Sequence, residues 1–196
     1  MSVAYKTARL FPSVKRDAEM TLLEAARQMN RDALVQIFDL YSHTLYNYAF
    51  RLCNDSRMAD NIVGDVFAKL LEQLSAGRGP NSNLRSYLYE MAYHLIVDEA
   101  RSSSRGAPLE AAETFLRPDG YSTTINVENR LMFESILHAI RNDLTDDQRH
   151  VVILRFLEGF NLQETAAIVG KEVNNVKVIQ NRAIAVLRRA LEQKLI

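Results

Sequence analysis

The stretch Asn161-Leu162-Gln163-Glu164-Thr165-Ala166-Ala167-Ile168-Val169-Gly170, followed after a short turn by Val176-Lys177-Val178-Ile179-Gln180-Asn181-Arg182-Ala183, decides the fold. It reads as a short helix, a glycine stop and a longer second helix. Asn161 can cap the first helix, and Glu164 three residues on completes a capping-box pattern. Gly170 stands where a left-handed residue would end that helix. The small pair Ala166-Ala167 lets the second helix approach closely. The whole is the pattern of a helix-turn-helix, whose second helix can lie in a DNA groove.

The two faces of the second helix support that use. At about 100° per residue, Val176, Ile179, Ala183, Leu187, Ala190 and Leu191 form one apolar stripe that must be buried. Asn174, Val178, Asn181 and Ala185 lie opposite, with Lys177 and Arg188 on one flank and Arg182 and Arg189 on the other. Asparagine can bond an adenine edge, valine or alanine can meet a thymine methyl, and flanking cations can hold phosphates. The expected duplex-reading set is Asn174, Asn175, Lys177, Val178, Asn181, Arg182, Arg188 and Arg189. An amphipathic helix with a merely solvated charged face is the plainer reading; the agreement of turn, stop and cation placement favours DNA.

Outward from this motif, Thr145-Asp146-Asp147-Gln148 is a capping box opening a helix from Arg149 to Leu157, with Gly159 as its stop. A helix beginning near Val127, with Leu131, Ile136, Leu137 and Ile140 inward, completes a four-helix unit over 127–196. Before it, Ser102-Ser103-Ser104-Arg105-Gly106-Ala107-Pro108 opens a stretch without apolar period. That stretch is expected to be a flexible linker over 102–126. The N-terminal half carries three strong helical patterns. Leu34, Ile37, Phe38, Tyr41, Leu45, Tyr48, Ala49 and Leu52 mark the first. Ala59, Ile62, Val63, Val66, Phe67, Leu70, Leu71 and Leu74 mark the second, with Asp60, Asn61, Asp65 and Lys69 on its other side. Leu84, Tyr87, Leu88, Met91, Leu95 and Ile96 mark the third, after a loop at 75–83. A short helix from Leu22 to Met29 precedes them, and residues 1–20 read as a loosely ordered arm. The expected architecture is all-α: an N-terminal helical bundle over 21–101 and the helix-turn-helix domain, joined by the linker.

Composition narrows the function. The 196-residue chain is 47% hydrophobic, with a formal net charge of +0, so it is no general polyanion binder and any DNA affinity must be local. The single cysteine, Cys53, excludes an internal disulfide and suits a reducing cytoplasm. No apolar run reaches the roughly 18 residues of a membrane span, and the N-terminus lacks a signal-peptide core. His43, His94, His138 and His150 are scattered without metal-ligand spacing, and no strand precedes a Gly-rich phosphate loop. Catalysis, a metal and a cofactor are therefore not expected. A stand-alone helix-turn-helix regulator, binding duplex DNA as a two-fold dimer, is the main rival. A non-DNA helical adaptor would leave the flanked asparagine strip unexplained.

Taken together, the stretches resemble the bacterial RNA polymerase sigma factors of the sigma-70 family. Asp60-Asn61-Ile62-Val63-Gly64-Asp65-Val66-Phe67 is similar to their acidic D-L-V-Q-E-V-F segment. Leu84-Arg85-Ser86-Tyr87-Leu88-Tyr89 through Asp98 looks like the helix that comes after it. Leu144-Thr145 through Arg155, Glu158-Gly159, Glu164-Thr165-Ala166, Gly170, Val176-Lys177 and Arg182-Ala183 resemble the promoter-reading domain. Two domains with little between them point to the extracytoplasmic-function (ECF) branch. Tyr87 stands where relatives often carry tryptophan, His94 replaces a common asparagine, and Glu172 stands where a serine cap is usual.

The resemblance implies a transcription initiation factor that directs core RNA polymerase to specific promoters. Asp60, Asn61, Asp65 and Lys69 would dock on the polymerase clamp helices, and Val151, Val152 and their neighbours on the flap. The recognition helix would read the upstream (−35) element as duplex. The loop Gly77 to Leu84 would catch a base flipped from the melted downstream (−10) element, with Arg78, Asn81, Asn83, Arg85, Tyr89, Tyr93, Arg101 and Arg105 along the strand. Tyr87 reads as a core residue. Core polymerase and promoter DNA are thus the implied partners, and an anti-sigma protein is a further candidate.

Overall fold

The computed structural model describes residues 16–103 and 127–193. Every regular element among them is helical: α1 (Arg16–Arg27), α2 (Arg31–Cys53), α3 (Ser56–Ser75), α4 (Leu84–Ser103), α5 (Val127–Asp143), α6 (Asp146–Val152), α7 (Leu162–Val169) and α8 (Val173–Gln193). The all-α expectation holds. Residues 1–15 of the expected arm and 104–126 of the expected linker, with Arg105, lie outside the described residues.

Local chemistry sets most helix ends. Asn30 caps α2 by accepting from the Ala33 amide at 3.0 Å, and Asp55 caps α3 through the Met58 amide at 3.0 Å. The α7 capping box closes in both directions. The Glu164 amide donates to Asn161 Oδ1 at 2.9 Å, and the Asn161 amide donates to Glu164 Oε2 at 2.7 Å. Gly170 then ends α7 in the left-handed region, at φ 63°. Two expectations shift. The helix α1 begins at Arg16, inside the stretch read as a loose arm. Its scattered charge lies on a helix that, among the side chains described, buries Leu23 and Ala26. The helix expected over Arg149–Leu157 instead starts at Asp146 and passes at Ile153–Leu157 into a π-helical turn, with the Glu158 amide bonded to the Ile153 carbonyl at 2.9 Å. An extra residue in a turn rotates every later side chain by about 100°. Periodicity alone therefore misplaces the side chains after Ile153.

The helices α1 to α4 pack as one bundle, and α5 to α7 pack around α8 as a second. The apolar stripes of α2, α3 and α8 face inward as expected, except that Phe38 and Leu71 stand 47% and 41% exposed at the edges of theirs. Phe38 lies against Phe67 with ring centroids 4.8 Å apart. The two bundles do not stand apart. The helix α4 packs along α7, α2 touches α5, and one continuous cluster of buried side chains runs through both.

Candidate nucleic-acid interface

The helix α8 presents the strip that its sequence pattern requires. Val176 and Ala183 are buried against α5 to α7, while Asn174, Asn175, Lys177, Val178, Asn181, Arg182, Arg188 and Arg189 are all exposed. Arg155, behind the helix, braces it by donating to Gln180 Oε1 at 2.9 Å. A rigid helix thus offers amides and a valine between two rows of cations, the combination that reads base edges while holding phosphates.

On α3, Asp60, Asn61, Asp65 and Lys69 are exposed on the side away from the bundle core. Nearby in the same bundle are the exposed Val35, Phe38 and Leu40 of α2 and Leu71 of α3. The exposure of Phe38 and Leu71 was hidden from the sequence pattern, because both continue the buried period of their helices.

The loop between α3 and α4 is exposed at Arg78, Asn81, Ser82 and Asn83, with Pro80 buried as its anchor. Asn83 adopts a left-handed backbone at φ 53°, which asparagine tolerates better than most residues. Arg78 donates from Nε to Gln73 Oε1 at 3.2 Å, and Arg27 of α1 donates to the Pro80 carbonyl at 3.1 Å and to Asn81 Oδ1. Arg101, at the other end of α4, is exposed and lies 3.7 Å from Asp98 Oδ1.

The remaining residues expected to line the single strand face elsewhere. Tyr89 is fully buried and Tyr93 nearly so, both against the C-terminal bundle. The Tyr89 hydroxyl donates to Glu158 Oε2 at 2.6 Å, and its ring meets Phe160 edge-on at 4.8 Å. The guanidinium of Arg85 lies 4.0 Å from the Phe160 ring centroid and donates to the Glu158 carbonyl. Tyr93 stands edge-on to His150 at 4.8 Å, and the Tyr48 hydroxyl pairs with His150 Nδ1 at 2.9 Å. In this compact arrangement Arg85, Tyr89 and Tyr93 are therefore covered by the C-terminal bundle and offer no stacking face. Tyr87, read as core, is half-buried on the opposite side of α4.

Glu158 is the hub of that contact. Its side chain is 1% exposed and paired with Arg51 at 2.7 Å. Burial raises its pKa, opposed by Arg51, the Tyr89 hydroxyl and Arg85. Burial also pulls His150 down to about 4, so it is neutral here. The part Glu158 and His150 play in this contact is not legible in the sequence, since Arg51 lies 107 residues from Glu158 and Tyr48 102 residues from His150.

One further expectation is corrected. Val151 and Val152 are buried in the core of the C-terminal bundle and have no surface to give a partner. Among the described side chains of the C-terminal bundle ahead of the helix-turn-helix, Phe156, 51% exposed in the π turn, and Met132 on α5 are exposed large apolar groups.

Both bundles have counterparts among known proteins. Sigma-70 region 2 matches residues 37–106, and Sigma-70 region 4 matches residues 142–189. The chain belongs to the sigma-70 family. Region 2 covers α2 to α4 with the intervening loop, and region 4 covers the helix-turn-helix with the capping box ahead of it. Curated relatives of this sigma-70 chain include ECF sigma factors. The ECF RNA polymerase sigma factor BldN of Streptomyces coelicolor is 29% identical over 178 residues, covering 88% of this chain and 65% of that relative. The match thus spans just under two thirds of the BldN length. SigX of Bacillus subtilis is 26% identical over 160 residues, covering 80% of this chain and 82% of SigX. Among solved structures, CnrH in complex with the cytosolic domain of CnrY superposes with a TM-score of 0.68 at 22% identity, covering 90% of this chain and 99% of that one. The sigma factor RpoE in complex with the anti-sigma factor NepR, from Bartonella quintana, gives 0.64 at 23% identity, covering 80% and 95%. These superpositions establish the sigma-factor fold. No helix among the described residues is long and apolar enough to cross a membrane.

Proposed function

We propose that this chain is the promoter-specificity subunit of an RNA polymerase holoenzyme, acting in the cytoplasm and performing no chemistry of its own. The exposed α8 strip reads the −35 element as duplex, with Asn174, Asn175, Val178 and Asn181 at base edges. Lys177, Arg182, Arg188 and Arg189 hold the phosphates. The α3–α4 loop captures an unstacked base of the −10 element, so that binding energy favours the melted promoter. On α3, Asp60, Asn61, Asp65 and Lys69 meet basic groups of the polymerase clamp, where charge complementarity gives orientation. The flap contact, first assigned to Val151 and Val152, passes to Phe156 and Met132.

The observation that carries this reading is the open α8 face, amides between two rows of cations, on a chain whose net charge is +0. So small a cationic patch gives weak binding alone and needs polymerase to supply the rest. A stand-alone regulator would bind its duplex without polymerase. The test is in vitro transcription of genomic fragments by purified core polymerase with and without the chain. Initiation concentrated at a discrete set of sites is the expected result; an unchanged, random pattern would reject the proposal. An anti-sigma partner, of the kind bound to RpoE in the Bartonella complex, is a further expectation for this chain, tested by co-purification.

A further inference from the structure

The helix α1 lies upstream of the residues matched by sigma-70 region 2, which begins at residue 37. It nevertheless reaches the loop between α3 and α4 and the start of α4. Arg27 donates from Nη1 to the Pro80 carbonyl at 3.1 Å and to Asn81 Oδ1. Glu19 accepts the backbone N–H of Arg85, in the first turn of α4, at 3.3 Å. Among the described residues the loop's other hydrogen bonds are local, and Pro80 is buried. The Gly77 and Arg78 amides bond back to the end of α3, and Arg78 bonds Gln73. Arg27 is thus the side chain that ties the loop's tip to a second rigid element.

The chemistry of the pair fixes more than position. A guanidinium has only donors, so Asn81 must turn its carbonyl oxygen toward Arg27. Its amide nitrogen then faces outward from an exposed loop, and no hydrogen bond to that nitrogen is made among the described residues. An asparagine left free could present either end to a ligand; this one presents two N–H donors.

We propose that Arg27 is a positioning residue for base capture. It holds Asn81 with its –NH2 outward, so that the loop favours, at one position of the melted promoter strand, a base that sets an acceptor (a carbonyl oxygen or an unprotonated ring nitrogen) opposite that amide over one that sets a donor there. This rests on the reading of the α3–α4 loop as the capture loop. It assigns base selectivity to a contact made from α1.

The test uses the full-length chain with bacterial core polymerase on a promoter library randomised through the −35 and −10 elements, with transcripts sequenced. Wild type should show base preferences at positions in both elements. Arg27→Ala, and Arg27→Gln which keeps most of the side-chain bulk, should lose at least about fivefold of the preference at one −10 position, the worth of about one hydrogen bond. The −35 preferences and all other −10 positions should stay as in wild type. Asn81→Asp keeps the Arg27 partner but replaces the outward donors by an acceptor, and should move the preference at that same position toward bases that set an N–H donor opposite it. Unchanged preferences in both Arg27 variants would overturn the proposal. So would a uniform loss across both elements, which would mark α1 as a purely structural support. If wild type itself shows no preference, the sigma-factor reading fails, a result distinct from either of these.

Discussion

Arg51 of α2 and Glu158, just beyond the π turn, form an ion pair of 2.7 Å across the contact between the two helical bundles, with Glu158 almost wholly buried. Tyr89 completes the carboxylate's bonding through Oε2. A buried pair of this kind is weak as a net source of stability but costly to break from one side, because the surviving charge is stranded. The Arg85 and Tyr89 side chains that close this contact are those expected along the promoter strand. If those side chains do bind the single strand, closing the bundles and binding DNA would compete for the same atoms.

Glu158→Ala should weaken the closed arrangement by about 3 kcal/mol, leaving the Arg51 guanidinium and Tyr89 hydroxyl without their partner. The expected outcome is a larger radius of gyration by solution scattering and tighter binding of a −10 oligonucleotide by the free chain. A radius and an affinity both equal to wild type would show that the contact does not limit opening. Glu158→Gln should do less, since burial raises the pKa of Glu158 and a neutral amide escapes that desolvation.

The closed form should also loosen in acid through His150. Its folded-state pKa is depressed from 6.5 to about 4 by burial. A base depressed in this way contributes stability that is present above pH 6.5 and is lost as pH falls toward 4. The loss amounts to about 3 kcal/mol over that window. Glu158 acts with the opposite sign, its raised pKa favouring the closed form as pH falls. The two are separated by comparing wild type with His150→Gln. The variant should show a shallower loss of thermal stability between pH 6.5 and 4, and identical pH profiles would remove His150 from the account.

The parts of this molecule that were legible in its sequence are those fixed by chemistry a few residues apart. Asn161, Glu164 and Gly170 announce the ends of α7, and the alternation of Val176, Ile179 and Ala183 with Asn174, Val178 and Asn181 announces the two faces of α8. What was not legible depends on partners far away along the chain. Glu158 reads as one more acidic residue before a glycine, and only packing against Arg51 and Tyr89 makes it a hub. Tyr89 and Tyr93 look like exposed aromatics on a helix flank until α6 and α7 cover them. Phe38 and Leu71 fall on the apolar period yet stay exposed, because no helix among the described residues closes over them. Val151 and Val152, ahead of the π turn, are buried by the packing of the C-terminal bundle, while within the turn at Ile153–Leu157 Phe156 is left exposed, a placement that no period of 3.6 can anticipate.

Because the α7 capping box is closed on both sides, Asn161→Ala should destabilise the helix-turn-helix by about 1 kcal/mol. For a chain of this size that corresponds to a fall of about 2–4 °C in Tm. Differential scanning calorimetry measures it directly. Asn161→Asp should retain most of the stability, since a carboxylate can also accept the Glu164 amide, although the introduced charge and the Glu164 carboxylate would then repel one another.

The exposed acidic face of α3 makes a separate prediction about polymerase. Asp65→Lys reverses a charge at an exposed position outside the packed core, so the Tm should stay within about 1 °C, as for surface substitutions in general. Affinity for core polymerase, measured by fluorescence anisotropy of the labelled chain, should fall about tenfold, with most of the loss in the association rate at low salt. An affinity equal to wild type would place the polymerase contact away from Asp65.

The recognition helix offers the sharpest division between holding DNA and reading it. Arg182 lies on the flank of the α8 strip and Asn181 within it, and both are exposed. Arg182→Ala removes a cation assigned to phosphate. Holoenzyme affinity should weaken by a similar factor on all promoters, and the slope of log K against log salt should become shallower by about 1. Asn181→Ala removes an amide assigned to a base edge. It should leave the salt slope unchanged and cost about 1–3 kcal/mol only against the preferred base at one −35 position. Competition binding of the two variants on a −35 single-substitution panel, repeated at two salt concentrations, separates these signatures. If Arg182→Ala keeps the wild-type salt slope, or Asn181→Ala loses affinity evenly on every duplex, the assignment of that residue is wrong and the α8 register on DNA must be rotated.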